Sequence, residues 1–339
     1  MRAFSWLASC LALLGAVAPE SGAAAAEGTP VIDLRIGLAQ NVTRPARNLW
    51  QGIGQGGLVQ LRRGRVEGVL AVFSSARPGV SSAELGVAFA RFRSALDASQ
   101  AFDAHACRAA RGRVSSWFEL DAPDVLAADP DEVGVWVARG ISVFSLAGRN
   151  DSALASSAFP SGPARAVGLT SEGRRVASAV LAAGALLDVA NLSDTALFEV
   201  VELASAAHAP LLATRASARS LRARAGSLSD VQLRAVAATG GVVGLSLDSD
   251  LIGDRRADLS DVLQQLEHLL RVAGPESVAL ASGFETGALP PLALASATRY
   301  PRLAQALEAR GVPAQQVKRL FHDNALRVLC RAARGGEGG

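Results

Sequence analysis

The stretch "LLDVANLSD", Leu186–Asp194, sets out the repeating unit of the whole sequence. A short apolar run of strand type ends at the amide of Asn191, and Ser193 and Asp194 then provide a helix start. Strand ends of this kind are where barrel enzymes carry their chemistry. An amide is neither acid nor base and is a poor metal ligand, so Asn191 is an unusual residue at such a position.

Eight apolar, β-branched runs of this type recur along the chain, with helical segments between them. Ser81 with Glu84 and Ser229 with Gln232 fit capping boxes at two helix starts. Buried strands that alternate with helices predict a parallel sheet, and eight units predict a (β/α)8 barrel of the TIM type. An open doubly wound sheet is the alternative, but "GIGQGG" at 52–57 precedes no clear βαβ crossover and is interpreted as a loop. The predicted strands are 31–36, 68–73, 114–120, 141–146, 185–190, 210–214, 241–246 and 277–282.

The composition is that of a folded protein with a large core. The chain has 339 residues, of which 50% are hydrophobic and 19% charged. Its 34 basic residues are nearly balanced by 31 acidic ones, for a net charge of +3. No basic run is long enough to form a patch, so the charge pattern argues against nucleic-acid binding.

The first 26 residues resemble a secretory signal peptide. Arg2 precedes an apolar stretch, and small residues near Ala25 and Ala26 fit a cleavage site. We therefore expect an exported protein of the periplasm or cell envelope, with one barrel domain over 27–330 and a flexible tail over 331–339. The alternative for this segment is a lipoprotein signal with Cys10 as the lipidated residue.

After cleavage, two cysteines would remain, Cys107 and Cys330. An oxidising compartment would allow them to form one disulfide, and two buried thiols are equally compatible with the sequence.

In a barrel, function is expected where the strands end at their carboxyl edges. Those positions are occupied in chain order by arginines, serines, acidic residues, amides and glycines, and none is a histidine. They are Arg35, Gly37, Ser74, Ser75, Glu119, Gly148, Arg149, Asn150, Asn191, Arg215, Asp248, Asp250, Gly283 and Glu285.

From about Val31 to Leu329 the sequence resembles the membrane dipeptidases, also called renal dipeptidases. The resemblance rests on stretches such as "LVQLRRGRVEGVLAVFSS" (58–75), "GLTSEGRRVASAVLAAGALLDVANLSD" (168–194) and "LSDVQLRAVAATGGVVGLSL" (228–247), which follow in the family's order. It implies a metal-dependent-hydrolase-like barrel that acts as a zinc-dependent peptidase with two zinc ions, and a homodimer.

The resemblance also places the family's zinc ligands on particular residues of this chain. The first strand of the family ends in Asp-any-His-any-Asp, and here "DLRIG" puts Arg35 and Gly37 at the two ligand positions after Asp33. The bridging glutamate matches Glu119, but the histidines that end strands five and six are replaced by Asn191 and Arg215.

Three further family positions have also changed. The substrate-contacting His after strand four matches Gly148, and the Asp after strand eight matches Gly283. The substrate-binding Arg matches Gly226, with Arg224 nearby. Asp188, Arg219 and Asn324 match family positions that orient backbone and loops.

Zinc needs thiolate, imidazole or carboxylate donors, and a protonated guanidinium has no lone pair to offer. One glutamate and one amide cannot hold two zinc ions, so the sequence predicts no zinc cofactor and no catalytic residues. The four histidines lie away from the predicted strand ends and do not replace the lost ligands; they are at 105, 208, 268 and 322.

Two interpretations of the altered site follow. In the first, Arg35 and Arg215 flank Glu119 and form, with Asn191, a degenerate pocket that binds a peptide end or another small carboxylate. In the second, the site has decayed and the arginines only neutralise the glutamate. An active metallo-dipeptidase with an atypical metal site is the alternative function.

Overall fold

Eight parallel strands close into a barrel, which confirms the predicted (β/α)8 fold. The computed structural model describes residues 28–38, 54–74, 79–108, 110–127, 129, 131–159, 168–253 and 257–335. Neighbouring strands pair in sequence order around the ring, and β2 pairs with β4 and β1 with β9 to close it. The barrel strands are β1 (Val31–Ile36), β2 (Val66–Ser74), β4 (Val114–Asp121), β5 (Val143–Ser145), β6 (Leu186–Asp188), β7 (Leu212–Ala216), β8 (Val242–Ser246) and β9 (Val278–Ala281).

A ninth strand, β3 (Phe102–Ala104), was not predicted. It pairs in parallel with the first residues of β4, from Phe102 with Val114 to Ala104 with Ser116. His105 directly follows this strand, and the prediction about histidines and predicted strand ends does not extend to it, because β3 was not among the predicted strands. Because β3 joins the start of β4, His105 lies far from the barrel mouth.

The strands are buried on both faces, which explains their continuous apolar sequences. Inside the barrel, side chains such as Ile32, Leu70 and Trp117 form one apolar cluster, and the outward side chains pack under the helices. The last helix closes the amino-terminal end, because its residues Ala325 and Val328 belong to the inner cluster. The opposite end, where the strands finish, is left as the mouth.

Helices follow most strands and cover the barrel. Both predicted capping boxes are present, since Ser81 and Glu84 exchange side-chain and backbone hydrogen bonds, as do Ser229 and Gln232. In the described residues the helices are α1 (Leu58–Arg63), α2 (Ser82–Ser99), α3 (Pro123–Ala127), α4 (Glu132–Ala138), α5 (Ser171–Ala182), α6 (Asp194–Ala206), α7 (Asp230–Ala238), α8 (Ser249–Ile252), α9 (Leu259–Ala273), α10 (Tyr300–Ala309), α11 (Ala314–Lys318) and α12 (Asn324–Gly335).

Only the carboxyl-terminal boundary of the predicted barrel domain falls within the described residues. The predicted signal peptide and Cys10 lie outside the described residues. The flexible tail was placed from residue 331, but α12 continues to Gly335. Within the described ranges, no helix combines the length and the apolar character needed to cross a membrane.

Cys107 and Cys330 form a disulfide, which decides between the two alternatives left open by the sequence. The bond joins the loop that follows β3 to α12, across 223 residues of sequence. It therefore ties the helix that closes the barrel to the loop in front of β4.

Candidate functional site

The predicted site residues meet at the carboxyl ends of the strands. A cavity of about 240 Å³ opens there, and Arg35, Asn191, Arg215, Asp121 and Asp248 contribute to its walls. Glu119 is fully buried beneath it. The mouth of the barrel is thus lined by charged and amide groups, as the strand-end argument predicted.

Arg35 is held by a ring of acceptors at the base of the cavity. Its Nη1 lies 3.4 Å from Glu119 Oε1 and 3.6 Å from Asp188 Oδ2, and it donates to Thr214 Oγ1 at 2.8 Å. Its Nη2 lies 3.4 Å from Asp121 Oδ2. Only 7% of Arg35 is exposed. Burial acts to lower the pKa of Arg35, but the three carboxyl groups raise it above its ordinary value, so the guanidinium keeps its charge.

The surroundings of Glu119 shift the pKa of its carboxyl group. Burial raises the pKa of Glu119 to about 8, although Arg35 opposes this shift, and Asp188 and Asp121 add to it. The carboxyl group also accepts a hydrogen bond of 2.6 Å from Ser145 Oγ. Burial therefore outweighs the charge of Arg35 at Glu119, and this one guanidinium is shared by three carboxyl groups.

Arg215 takes part in a different ion pair. Its Nη2 donates to Asp248 Oδ2 at 3.0 Å, and its Nη1 donates to Asn191 Oδ1 at 3.5 Å. Burial lowers the pKa of Arg215, and Asp248 opposes that shift. The predicted Arg–Glu–Arg arrangement is wrong: Glu119 lies against Arg35, and Asp248 is the acid beside Arg215.

Two side chains complete the mouth without having been assigned to the site. The guanidinium of Arg149 lies 4.7 Å from the ring centre of Phe159, and that of Arg215 lies 5.6 Å from it. Arg149 was recognised as a strand-end residue, but nothing in the sequence around Phe159 indicates that its ring lies near two arginines. The pairing of Asp248 with Arg215 was also missed, because the sequence identified Asp248 only as one of several strand-end residues.

The backbone explains two of the altered ligand positions. The strand that was predicted to end at Asn191 ends at Asp188, and Asn191 follows in a left-handed conformation with φ of 65°. Asparagine adopts this conformation more readily than most residues. At Gly37 a Cβ atom would lie 2.6 Å from the carbonyl oxygen of Glu285, so this position has no room for a side chain.

The three other glycines at altered family positions differ in whether the backbone allows a side chain. At Gly148 a Cβ atom would meet only Asp121 Oδ1, at 3.8 Å, so a side chain fits there. Gly283 and Gly226 have φ of 74° and 82°, which favours glycine.

The buried acids Asp33 and Asp188 act as supports for the site. Asp33 accepts hydrogen bonds from Arg35 N at 3.1 Å and from Ser282 Oγ at 2.6 Å, and the hydroxyl of Tyr300 also donates to it. Asp188 accepts from Thr214 N at 2.9 Å and from Thr214 Oγ1 at 2.5 Å. These bonds fix the ends of β1 and β7, and with them Arg35 and Arg215.

Arg219 and Asn324 also orient neighbouring segments, as expected. Arg219 binds both carboxylate oxygens of Asp194, at 2.7 and 2.6 Å. Asn324 donates to the carbonyl oxygens of Pro275 and Val278, at 2.8 and 2.9 Å.

The residues present do not fit a pair of zinc ions. Of the five family ligand positions, only Glu119 has a metal-binding side chain, and the guanidinium of Arg35 lies directly against it. In the part of the chain that the structure describes, no three His, Cys, Asp or Glu residues are arranged to hold a metal ion. The histidines have other neighbours: His105 packs on Phe118, His268 binds Asp230, and His322 binds Asp323.

Comparison with known proteins places the chain in a family. The sequence model of the family described as membrane dipeptidase, peptidase family M19, matches residues 23–336. An uncharacterised protein from the pqqA 5′ region of Klebsiella pneumoniae is 32% identical over 176 residues, which are 50% of this chain and 64% of that protein. Dipeptidase 3 of Rattus norvegicus is 27% identical over 163 residues, which are 48% of this chain and 33% of that protein. The chain thus matches less than two thirds of the length of either relative.

The fold is shared with a solved structure. The crystal structure of a metallopeptidase from Rhodobacter sphaeroides, liganded with a phosphinate mimic of the dipeptide L-Ala-D-Ala, superposes with a TM-score of 0.80. The two sequences are 22% identical, and the match covers 90% of this chain and 99% of that one. Taken with the family match over nearly the whole sequence, this chain belongs to the membrane dipeptidase family, peptidase family M19.

Proposed function

We propose that this protein is a pseudoenzyme of the membrane dipeptidase family, which binds a small carboxylate-bearing ligand such as a peptide end at the barrel mouth. The observation that carries the proposal is the position of Arg35. Its guanidinium lies within 3.4 to 3.6 Å of Glu119, Asp121 and Asp188. A buried cation there takes up the carboxylates that would otherwise be free to hold a metal ion.

The chemistry of the remaining side chains supports binding over hydrolysis. Guanidinium groups are donors only, and the amide of Asn191 is a weak ligand. Burial raises the pKa of Glu119 to about 8, and its carboxyl group is already in contact with Arg35 and Ser145. The site offers hydrogen-bond donors and positive charge, which suit the recognition of an anion.

The ligand's carboxylate would bind to Arg149 and Arg215, since Arg35 is already saturated by three acids. The two guanidinium groups both lie over Phe159, at 4.7 and 5.6 Å from its ring centre. The cavity of about 240 Å³ is below the usual range of ligand pockets, about 300 to 1,000 Å³, and so favours a ligand of dipeptide size or smaller.

Calorimetric titration with Ala-Ala, Ala-Ala amide and succinate tests this proposal. We expect the free dipeptide to bind and the amide, which lacks the carboxylate, to bind about tenfold more weakly, since a charge-assisted bond contributes about 1.5 to 3 kcal/mol. Arg149→Gln should cause a similar loss. Arg302→Gln, at an exposed position on α10, is the matched control and should bind like the unaltered protein.

Equal binding of the dipeptide and its amide, or no effect of Arg149→Gln, would contradict carboxylate recognition at the mouth. Absence of binding by all three compounds would favour the alternative interpretation of a decayed site.

The rival function is an active metallo-dipeptidase with an atypical metal site. Family membership favours it, as does the grouping of Glu119, Asp121 and Asp188 around one cation. Metal analysis of the purified protein, together with dipeptide hydrolysis with and without added zinc, separates the two functions. Stoichiometric metal with turnover would establish the rival.

We further propose that the protein is exported to the periplasm or cell envelope and acts there as a ligand-binding or scaffold protein, with a homodimer as its expected assembly. The signal-like sequence at residues 1–26 and the Cys107–Cys330 disulfide support export, because disulfides persist in oxidising compartments. Cell fractionation tests the location, and light scattering tests the assembly. Palmitate labelling with and without Cys10→Ser tests the lipoprotein alternative.

A further inference from the structure

A second and larger cavity lies at the amino-terminal end of the barrel, opposite the mouth. Its volume is about 630 Å³, and its walls come from the first residues of β2 and β4, from the loop before β4 and from α12. None of its lining residues belongs to the mouth. The carboxylate site proposed at the mouth therefore does not account for this cavity.

The walls carry a strong excess of positive charge. Five arginines contribute to them, against a single carboxylate, Glu67. Arg113 is paired, since its Nε lies 2.7 Å from Asp103 Oδ1, and Arg62 donates to the carbonyl oxygen of Gly112 at 3.4 Å. The others are exposed and have no ion pair within the described residues; these are Arg65, Arg108 and Arg111.

The inner wall of the cavity is apolar rather than charged. Ile32, Val66, Trp117 and Leu326 make it largely apolar. Trp117 is fully buried, and its indole N–H has no hydrogen-bond partner among the described residues. Unpaired buried donors are rare in folded proteins, because each lacks the bond that water would supply. A ligand with an apolar body and an anionic end matches such a wall together with the arginines that line the cavity.

The disulfide fixes this cavity in shape. Cys107 is part of its wall, and its bond to Cys330 joins the arginine-bearing loop to α12. The bond therefore holds the backbone of this loop against α12 without any ligand. A loop that is already held in place loses less entropy on binding than a free one would.

We propose that this amino-terminal cavity, the basal cavity, binds a phosphate-bearing organic ligand. Arginine forks match the geometry of phosphate oxygens, and the apolar inner wall receives the organic part. The same chemistry is offered by a soluble organic phosphate and by a phospholipid headgroup. The inference is independent of the carboxylate site at the mouth.

The indole N–H resonance of Trp117 reports on occupation of the basal cavity. The chain has four tryptophans, and Trp117→Phe assigns the signal. We expect pyrophosphate and glycerol phosphate to shift this resonance in a saturable manner in the purified full chain, while that of Trp136, outside the cavity, is unaffected. The double variant Arg65→Glu with Arg111→Glu should weaken binding by about tenfold or more, since two charge-assisted contacts are reversed.

A matched control keeps the change in net charge and moves it elsewhere. Arg91→Glu with Arg302→Glu alters two exposed arginines on α2 and α10 that do not line the cavity. The control should bind like the unaltered protein. A thermal unfolding scan of each variant confirms that it is folded.

Vesicles distinguish the two sources of the ligand. Sedimentation with phosphatidylglycerol vesicles, but not with phosphatidylcholine vesicles, together with loss of sedimentation in the Arg65→Glu, Arg111→Glu variant, identifies a lipid headgroup. Binding of glycerol phosphate without sedimentation identifies a soluble phosphate. The proposal is overturned if no phosphate compound shifts the Trp117 resonance, or if both double variants lose binding equally.

Discussion

At the scale of single residues, the backbone at Gly37 leaves no room for the aspartate that the family has at this position. Its backbone passes so close to the carbonyl oxygen of Glu285 that a Cβ atom would lie 2.6 Å from it. The family's aspartate at this position therefore cannot be restored without moving the backbone.

Gly37→Ala should lower the free energy of unfolding by about 1 to 3 kcal/mol, the usual cost of overpacking a buried position. Gly148→Ala is the matched control, because a Cβ atom there lies 3.8 Å from its nearest neighbour. Urea unfolding of the two variants measures the difference. Equal stability of both would show that the loop of Glu285 yields easily.

The local structure accounts for the amide of Asn191, a residue type that is unusual where a barrel strand ends. Its left-handed backbone, with φ of 65°, is unfavourable for most residues and tolerable for asparagine. Its side-chain oxygen accepts from Arg215. The backbone conformation and this one hydrogen bond together account for an amide at this position.

Glu119 makes stability depend on pH. Its folded-state pKa of about 8 lies above its ordinary value of 4.5, so the folded protein binds this proton more tightly than the unfolded chain does. The contribution is fully present below pH 4.5 and is lost as the pH rises towards 8. The pKa of Asp121, raised by burial although Arg35 opposes the shift, acts in the same direction.

We expect the free energy of unfolding to fall between about pH 5 and about pH 8, and Glu119→Gln to reduce this slope, because the amide does not titrate. Urea unfolding across that range gives the measurement. A Glu119→Gln protein with an unchanged slope would show that Glu119 is ionised in the folded state.

At the scale of elements, the apolar runs predicted the barrel but not where each strand ends. All eight runs correspond to barrel strands, because buried parallel strands need continuous apolar sequence. The ends depend on hydrogen-bond register, which a single sequence does not specify, so β6 ends at Asp188 and β7 reaches Ala216. This shift of two or three residues decides whether Asn191 and Arg215 belong to a strand or to a loop.

The short strand β3 could not be predicted from periodicity. Its three residues, Phe102–Ala104, give too little pattern, and it forms only because β4 offers a free edge at its start. The same limit applies to the charge partners in the mouth. Glu119 and Arg35 were placed together by strand topology, whereas Asp248 and Phe159 come from loops whose path the sequence does not reveal.

The Cys107–Cys330 disulfide fastens the last helix to the barrel. Replacing both cysteines by serine should lower stability by about 2 to 5 kcal/mol, since the bond closes a loop of more than two hundred residues and so restricts the unfolded chain. The variant's urea midpoint, compared with that of the oxidised protein, measures the effect. A midpoint equal to that of the oxidised protein would mean that α12 is held by apolar packing alone.

At the scale of the whole molecule, the chain keeps the barrel fold of its family, whereas the residues at the positions matched to the family's ligands are different. The barrel superposes on a metallopeptidase with a TM-score of 0.80, while the family ligand positions hold two arginines, a glycine, an amide and one acid. The core is held by apolar packing that does not require metal ligands, so changes at the strand ends leave it intact.

The central claim is that the guanidinium of Arg35 occupies the place beside Glu119 where a metal ion would bind. Anomalous diffraction at the zinc absorption edge, from crystals grown with excess zinc, tests it directly. The account predicts density for Arg35 in contact with Glu119 and Asp188, and no anomalous peak in the mouth. A strong peak coordinated by Glu119, with Arg35 displaced into solvent, would contradict it.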